Sequence, residues 1–102
     1  MDRVLRHVVL YRFKETAEKQ TIRGIESAFA ALAEKIGEIR DFEWGTNVSP
    51  EQKDEGFTHC FLVTFAGEEQ RDAYLPHPAH QEFVAFCSPY VEKVLVLDYW
   101  AG

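Results

Sequence analysis

Apolar and polar residues alternate along four short segments of the chain, and this pattern predicts four β-strands. The segments are 5–13, 39–47, 57–65 and 94–100. A period of two places successive side chains on opposite faces of a strand. In segment 57–65 both faces are largely apolar, which predicts a strand in the middle of the sheet that is covered on both sides.

Three helices are predicted between these strands. Apolar residues recur every three or four positions after the first strand, which indicates a helix from Thr16 or Glu18 to Ile36, with Thr16 as a candidate N-cap. Two shorter helices, 67–75 and 79–91, are predicted between the third and fourth strands, on either side of a proline-rich bend.

The order of these elements is βαββαβ, with the second helix in two pieces. This order predicts an α+β, ferredoxin-like fold with a four-stranded antiparallel sheet and helices on one face. A length of 102 residues suits one domain, 1–102. The other face of the sheet is expected to expose Val8, Leu10, Cys60, Leu62, Val94 and Val96, or their alternates. An apolar patch of that size marks an interface, so we expect two sheets to pack face to face in a homodimer.

The composition changes this interpretation little. The net charge is −6 and the basic residues are scattered, so neither nucleic acid nor an anionic membrane surface is an expected partner. The sequence contains no apolar segment typical of a signal peptide or a membrane span, and we expect a cytoplasmic protein. Cys60 and Cys87 form no CxxC pair and are expected to be buried free thiols.

The histidines are the candidates for chemistry. His7 and His59 lie in the first and third strands, which are neighbours in a ferredoxin-like sheet, so both rings are expected beneath the helices. Apolar residues follow His80 at helical spacing, which places it on an inward-facing stripe. The bend before it is expected to bring Tyr74 close to His80 at the mouth of a cavity. A buried imidazole stays neutral and can act as a base, and a tyrosine hydroxyl can stabilise an enolate.

Each of these residues also has a simpler structural interpretation. His7 and His59 are common types of hydrogen-bonded core residue, and Tyr74 could be a core aromatic. His80 could satisfy backbone groups at a helix start, and His77 could cap the bend. The histidines are accompanied by no HExxH motif and no facial carboxylate pattern, and the chain has no glycine-rich phosphate loop, so neither a metal site nor a cofactor is predicted.

Five stretches of the sequence carry a family resemblance. They are Arg6-His-Val-Val-Leu-Tyr-Arg-Phe-Lys14, Phe42-Glu-Trp-Gly45, the stretch from Gly56 to Phe65, Tyr74-Leu-Pro-His-Pro-Ala-His80 and Val94-Leu-Val-Leu-Asp-Tyr99. Together they resemble the dimeric α/β-barrel (Dabb), or stress-responsive A/B barrel, family, whose Tyr-x-x-His-Pro-x-His segment is the strongest match. The resemblance implies a dimeric barrel made of two ferredoxin-like subunits.

The resemblance also implies roles for individual residues. In one plant member, which closes the ring of a linear polyketide without a cofactor, the last histidine of the motif is the base and its tyrosine holds and polarises the substrate. These residues correspond to His80 and Tyr74, while His7 and His59 correspond to residues lining the same pocket. A further pocket tyrosine corresponds to Phe29, which lacks the hydroxyl. The implied function is a cofactor-free lyase, cyclase or isomerase that acts on a small apolar carbonyl compound.

Other functions remain open at this level. The chain could be a non-catalytic stress-responsive protein that binds a ligand or serves as a scaffold. It could also be a cofactor-free monooxygenase of the same superfamily, with Trp44 and Trp100 lining the site. Some relatives hold a hard cation through backbone carbonyls where the first helix ends, and residues 33–39 would correspond to that place.

Overall fold

Four antiparallel strands form the sheet of this protein. The structure is a computed structural model and describes residues 3–102. The strands are β1 (Val4–Phe13), β2 (Asp41–Thr46), β3 (His59–Phe65) and β4 (Val91–Ala101). Their order in the sheet is β2–β3–β1–β4, and every neighbouring pair is antiparallel. The predicted α+β, ferredoxin-like fold is therefore confirmed, with β3 in the interior of the sheet.

The helices cover one face of this sheet. They are α1 (Lys19–Lys35), α2 (Glu68–Tyr74) and α3 (Pro78–Cys87), and a 3₁₀ turn at Ser88–Tyr90 follows α3. The proline at position 89 accounts for the early end of α3, because proline has no N–H for the helical hydrogen bond. Within residues 3–102, none of these helices has the length and apolar character needed to cross a membrane.

The start of α1 differs from the prediction. Glu18, and not Thr16, is the N-cap residue, and its side chain makes no capping hydrogen bond. The reason is a turn directly after β1, in which the Ala17 N–H donates to the Lys14 carbonyl. Residues 14–17 belong to this turn and are not helical, so the helix begins at Lys19.

The hydrophobic core lies between the helices and the sheet. It consists of Leu5, Val9, Tyr11, Ile25, Phe29, Leu32, Ile36, Ile39, Phe61, Val63, Phe65, Tyr74, Phe83 and Cys87. Its centre is aromatic: the rings of Phe29 on α1 and Phe61 on β3 stack with centroids 4.3 Å apart. Because side chains alternate along a strand, the residues of β1 and β3 that face the helices include His7 and His59, and both are buried.

The opposite face of the sheet carries apolar side chains without a covering layer within the chain. They are Val8, Leu10, Leu62, Leu95, Leu97 and Tyr99. Leu97 is the most open of them, with 68% of its surface exposed. Val94 and Val96 lie instead on the helix side, because they pair with Tyr11 and Val9. The residues of β4 that complete the apolar patch are therefore Leu95, Leu97 and Tyr99. Within the chain, β3 is covered only on its helix side.

The two cysteines differ from each other in burial. Cys87 at the end of α3 is buried, as predicted, but Cys60 is exposed. The expectation for Cys60 was wrong because this residue alternates with His59 and Phe61 in β3 and so points to the open face of the sheet.

Candidate functional site

A cavity of about 450 Å³ lies between α2, α3 and the helix side of β1 and β4. Its wall is formed by His7, Val9, Tyr11, Phe29, Arg71, Asp72, Tyr74, Leu75, His80, Val84, Cys87, Ser88, Val91, Val94, Val96 and Asp98. The wall is mostly apolar, with polar groups at a few places. This size and composition are typical of a site for a small organic molecule.

A hydrogen-bonded chain of three residues forms one wall of the cavity. The register of β1 and β4 pairs His7 with Asp98. The His7 Nδ1–H donates to the Asp98 carboxylate over 2.7 Å, and the second Asp98 oxygen accepts from the Arg71 guanidinium over 3.1 Å. The carboxylate fixes the ring of His7, and in the neutral tautomer that donates to Asp98 the lone pair is on Nε2. Within the described residues, this Nε2 has no hydrogen-bond partner.

The bend between α2 and α3 places Tyr74 against His80. Tyr74 is the last residue of α2, and its ring centroid lies 4.4 Å from that of His80. His77 is the N-cap of α3 and accepts a hydrogen bond from the Ala79 N–H through its Nδ1, as the capping interpretation predicted. The His80 Nδ1–H donates to the Leu75 carbonyl over 2.9 Å. A carbonyl can only accept, so the lone pair of neutral His80 is on Nε2.

The electrostatics of this corner favour a neutral base beside a neutral acid. Burial lowers the pKa of His80, and the hydrogen bond to Leu75 opposes this effect only in part. Burial also raises the pKa of the Tyr74 hydroxyl, so it stays protonated at neutral pH. This hydroxyl is the single buried side-chain nitrogen or oxygen within residues 3–102 that lacks a hydrogen-bond partner. Because such groups are costly, a ligand oxygen that accepts from Tyr74 would be favoured.

His7, Tyr74, His80 and Phe29 thus line one cavity, but His59 does not. The register between strands accounts for this separation. His59 pairs with Tyr11 of β1, four residues along the strand from His7, which corresponds to roughly 13 Å. Its Nε2 bonds Glu26 of α1 over 2.6 Å and its Nδ1 bonds the Thr58 hydroxyl over 2.8 Å.

The two tryptophans named as candidate site residues lie away from this cavity. Trp44 stacks in parallel on His59, and Trp100 packs beside Gly67, so neither tryptophan lines the cavity. Among residues 3–102, no three His, Cys, Asp or Glu side chains cluster closely enough to bind a metal ion. The sequence also gave no place to Asp98 in the site. Its one signal is that it is an acidic residue between Val96 and Trp100 on the inward face of β4.

The comparison with known families agrees with this fold. The sequence model of the Stress responsive A/B Barrel Domain (Dabb) family matches residues 5–101. The chain is 37% identical to the stress-response A/B barrel domain-containing protein HS1 of Arabidopsis thaliana, over 93% of this chain and 87% of that protein. It is 30% identical to olivetolic acid cyclase of Cannabis sativa, over 93% of this chain and 94% of that enzyme. The chain therefore belongs to the stress-responsive A/B barrel family.

Solved structures of similar proteins share the architecture. The hydroxynitrile lyase of Passiflora edulis superposes with a TM-score of 0.90, at 29% identity, covering 97% of this chain and 94% of the lyase. A dimeric ferredoxin-like protein of unknown function from Jannaschia sp. CCS1 superposes with a TM-score of 0.81, at 27% identity, covering 94% and 97%. Relatives at this level of similarity thus include a cyclase, a lyase and a stress-response protein.

Proposed function

We propose that this chain is a homodimeric, cytoplasmic, small-molecule-binding protein that removes a proton next to a carbonyl group without a cofactor. The observation that carries the proposal is the corner of the cavity at which the ring of His80, whose Nδ1 is bonded to Leu75, packs against the ring of Tyr74, whose hydroxyl has no partner in the described part of the chain. Similarity to a cyclase and a lyase supports the same class of chemistry. The unpaired cysteines fit a reducing compartment.

The proton transfer uses two residues in complementary roles. Nε2 of His80 takes the proton from the carbon beside the carbonyl: the C–H bond breaks, an N–H bond forms, and the electron pair moves to the carbonyl oxygen. Tyr74 donates a hydrogen bond to that oxygen and stabilises the enolate. His7, held by Asp98, and Phe29 form the adjoining wall and position the substrate. Return of the proton, or attack of the enolate carbon on a second carbonyl, completes an isomerase or a cyclase reaction.

The homodimer is proposed from the uncovered face of the sheet. Apolar side chains of β1, β3 and β4 lie there, among them Leu97. Burying a patch of this kind against a second copy removes apolar surface from water. We expect Leu97→Glu to convert a dimer to a monomer in sedimentation velocity, and Glu38→Gln, away from the sheet, to leave the dimer intact. A wild-type protein that sediments as a monomer contradicts this part of the proposal.

The chemistry is tested by hydrogen–deuterium exchange of acetophenone in D₂O, followed by proton NMR of its methyl group. Wild-type protein is expected to accelerate exchange above buffer. His80→Gln is expected to lower the enzymatic rate by about 100-fold or more, because a general base contributes about that much. Gln81→Ala is the control, because Gln81 is an exposed residue of α3 outside the cavity wall and its substitution should leave the rate unchanged.

A non-catalytic binding protein is the second candidate, and the relative described as a stress-response protein favours it. A scaffold protein without a ligand is expected to have a filled interior. The cavity of about 450 Å³ favours a protein that binds a ligand. The same NMR experiment separates the two. Acetophenone that binds, as shown by shifts of protein resonances, without exchange above buffer supports the binding protein and contradicts the enzyme.

A further inference from the structure

A second polar group lies in the cavity wall and has no part in the proton transfer. Tyr11 of β1 and Cys87 at the end of α3 are both buried, and the tyrosine hydroxyl lies 3.6 Å from the thiol sulfur. Both residues line the cavity that contains His80 and Tyr74. A buried hydroxyl whose partner is a sulfur atom is a donor that a ligand can use.

The direction of the hydrogen bond between Tyr11 and Cys87 leaves the tyrosine as a donor that a ligand can accept from. The Cys87 thiol contacts the Val84 carbonyl at 3.8 Å, and a carbonyl can only accept, so the thiol hydrogen points there. The Tyr11 O–H is then the donor to sulfur. Sulfur is a weak acceptor, so a ligand oxygen can replace it with a gain in hydrogen-bond strength. Burial raises the pKa of Tyr11, which keeps the hydroxyl protonated as a donor.

Tyr11 and His7, the two polar residues of β1 in the cavity wall, are separated along the strand. Tyr11 and His7 face the same side and are four residues apart, with Val9 between them. The strand geometry gives roughly 13 Å between their Cα atoms. The ring of Phe29 packs beside Tyr11, with centroids 6.2 Å apart. Tyr11 is therefore a polar residue of the wall that lies apart from His7 along β1, with Val9 between them.

The charged side chains of the cavity wall disfavour a ligand carboxylate. Arg71 is the cation of the wall, and its guanidinium is already bonded to Asp98 and Asp72 over 3.1 Å each. Because the guanidinium already bonds two carboxylates, a ligand carboxylate would find no free cationic partner in the wall.

We propose that Tyr11 is a specificity-determining residue that selects ketones carrying a second, uncharged oxygen. One oxygen is the carbonyl held by Tyr74. The other is an ether, hydroxyl or carbonyl oxygen that accepts a hydrogen bond from Tyr11 in place of Cys87. This inference rests on the proposed function for the position of the carbonyl end, and it adds the class of compound that fits the whole cavity.

The test compares two ketones of nearly equal shape, 4-methoxyacetophenone and 4-ethylacetophenone. Their Kd values are measured by NMR titration of the protein, which does not depend on turnover. Wild-type protein should bind the methoxy compound more tightly, by about fivefold, the effect of one neutral hydrogen bond. Tyr11→Phe removes the hydroxyl alone and should bring the ratio of the two Kd values close to one.

Two further variants sharpen the test. Cys87→Ala removes the competing sulfur and should increase the preference for the methoxy compound. Tyr90→Phe is the matched control, because Tyr90 is an exposed tyrosine outside the cavity wall, and it should keep the wild-type ratio. Circular dichroism of each variant checks the fold.

The outcomes separate this inference from the proposed function. If both ketones bind and exchange, but Tyr11→Phe keeps the wild-type ratio, the role of Tyr11 is wrong and the proton transfer stands. If the ratio falls to one in Tyr11→Phe but no exchange occurs, the selectivity stands and the enzyme proposal fails. If neither ketone binds, both are wrong.

Discussion

Two histidine–carboxylate pairs lie on the helix side of the same sheet and differ in what surrounds them. His7 bonds Asp98 over 2.7 Å and His59 bonds Glu26 over 2.6 Å. The remaining nitrogen of His7 has no partner in the described part of the chain, and its ring forms part of the cavity wall. The remaining nitrogen of His59 bonds Thr58 instead.

The aromatic neighbours of His59 and His7 also differ. His59 is enclosed by Trp44, which stacks in parallel at 5.9 Å, and by the edge of Phe13 at 5.1 Å. His7 meets the edge of Tyr74 at 5.9 Å but keeps open space on the cavity side. A short bond to a carboxylate therefore does not distinguish a functional histidine from a structural one. The useful criterion is whether the second nitrogen is still free to meet a ligand.

The largest effect on stability is expected at the enclosed pair. His59→Leu leaves Glu26 and Thr58 without their partner, and this should lower the free energy of unfolding by about 2 kcal/mol in urea denaturation. Exchange of acetophenone per folded molecule should stay close to wild type. A large loss of exchange in a folded His59→Leu protein would place His59 in the site and remove the contrast between the two pairs.

A smaller, functional effect is expected at the cavity pair. Asp98→Asn should lower the exchange rate about tenfold, because an amide can donate to Nδ1 of His7 and so move the ring proton to Nε2. The comparable change at the other pair, Glu26→Gln, should leave the rate unaltered. Equal effects of the two substitutions on the exchange rate would show that neither carboxylate acts through the cavity.

Tyr74→Phe should separate stability from function. The hydroxyl is buried without a partner, so its removal is expected to leave the free energy of unfolding unchanged or raise it by up to about 1 kcal/mol. Binding and exchange of acetophenone should both weaken. A clear loss of stability in thermal or urea unfolding would mean that the hydroxyl has a partner in the unliganded protein.

The smallest effect concerns pH. Burial lowers the pKa of His80 in the folded protein below its ordinary value of 6.5. The unfolded chain then binds the proton more readily, so the contribution of His80 to stability is present above about pH 6.5 and is lost as the pH falls through the folded pKa. Between about pH 7 and pH 5, the free energy of unfolding of the wild-type protein should therefore fall as the pH falls. His80→Gln should make this dependence on pH weaker. Exchange activity should likewise persist below pH 6.5, since the base stays neutral there.

The fold and one part of the site were accessible from sequence, because both depend on local patterns. Alternation in the strands and the apolar stripe of α1 identify the elements, and topology rules give their order. The bend at residues 76–78 joins Tyr74 to His80 within one short segment. Contacts between distant parts of the chain were less accessible. The partnership of His7 with Asp98 and the separation of His7 from His59 follow from strand register, which alternation alone does not determine.

The alternation of β1 has a consequence for how this strand can change over time. One set of its side chains, including His7 and Tyr11, belongs to the cavity, and the other, including Val8 and Leu10, belongs to the open face. Substitution of one residue of β1 would alter either the cavity or the open face, but not both. Inserting or deleting one residue would move the imidazole to the outer surface and a valine into the binding space. Substitutions in β1 can therefore be accepted one at a time, but its length is constrained by the cavity and by the open face together.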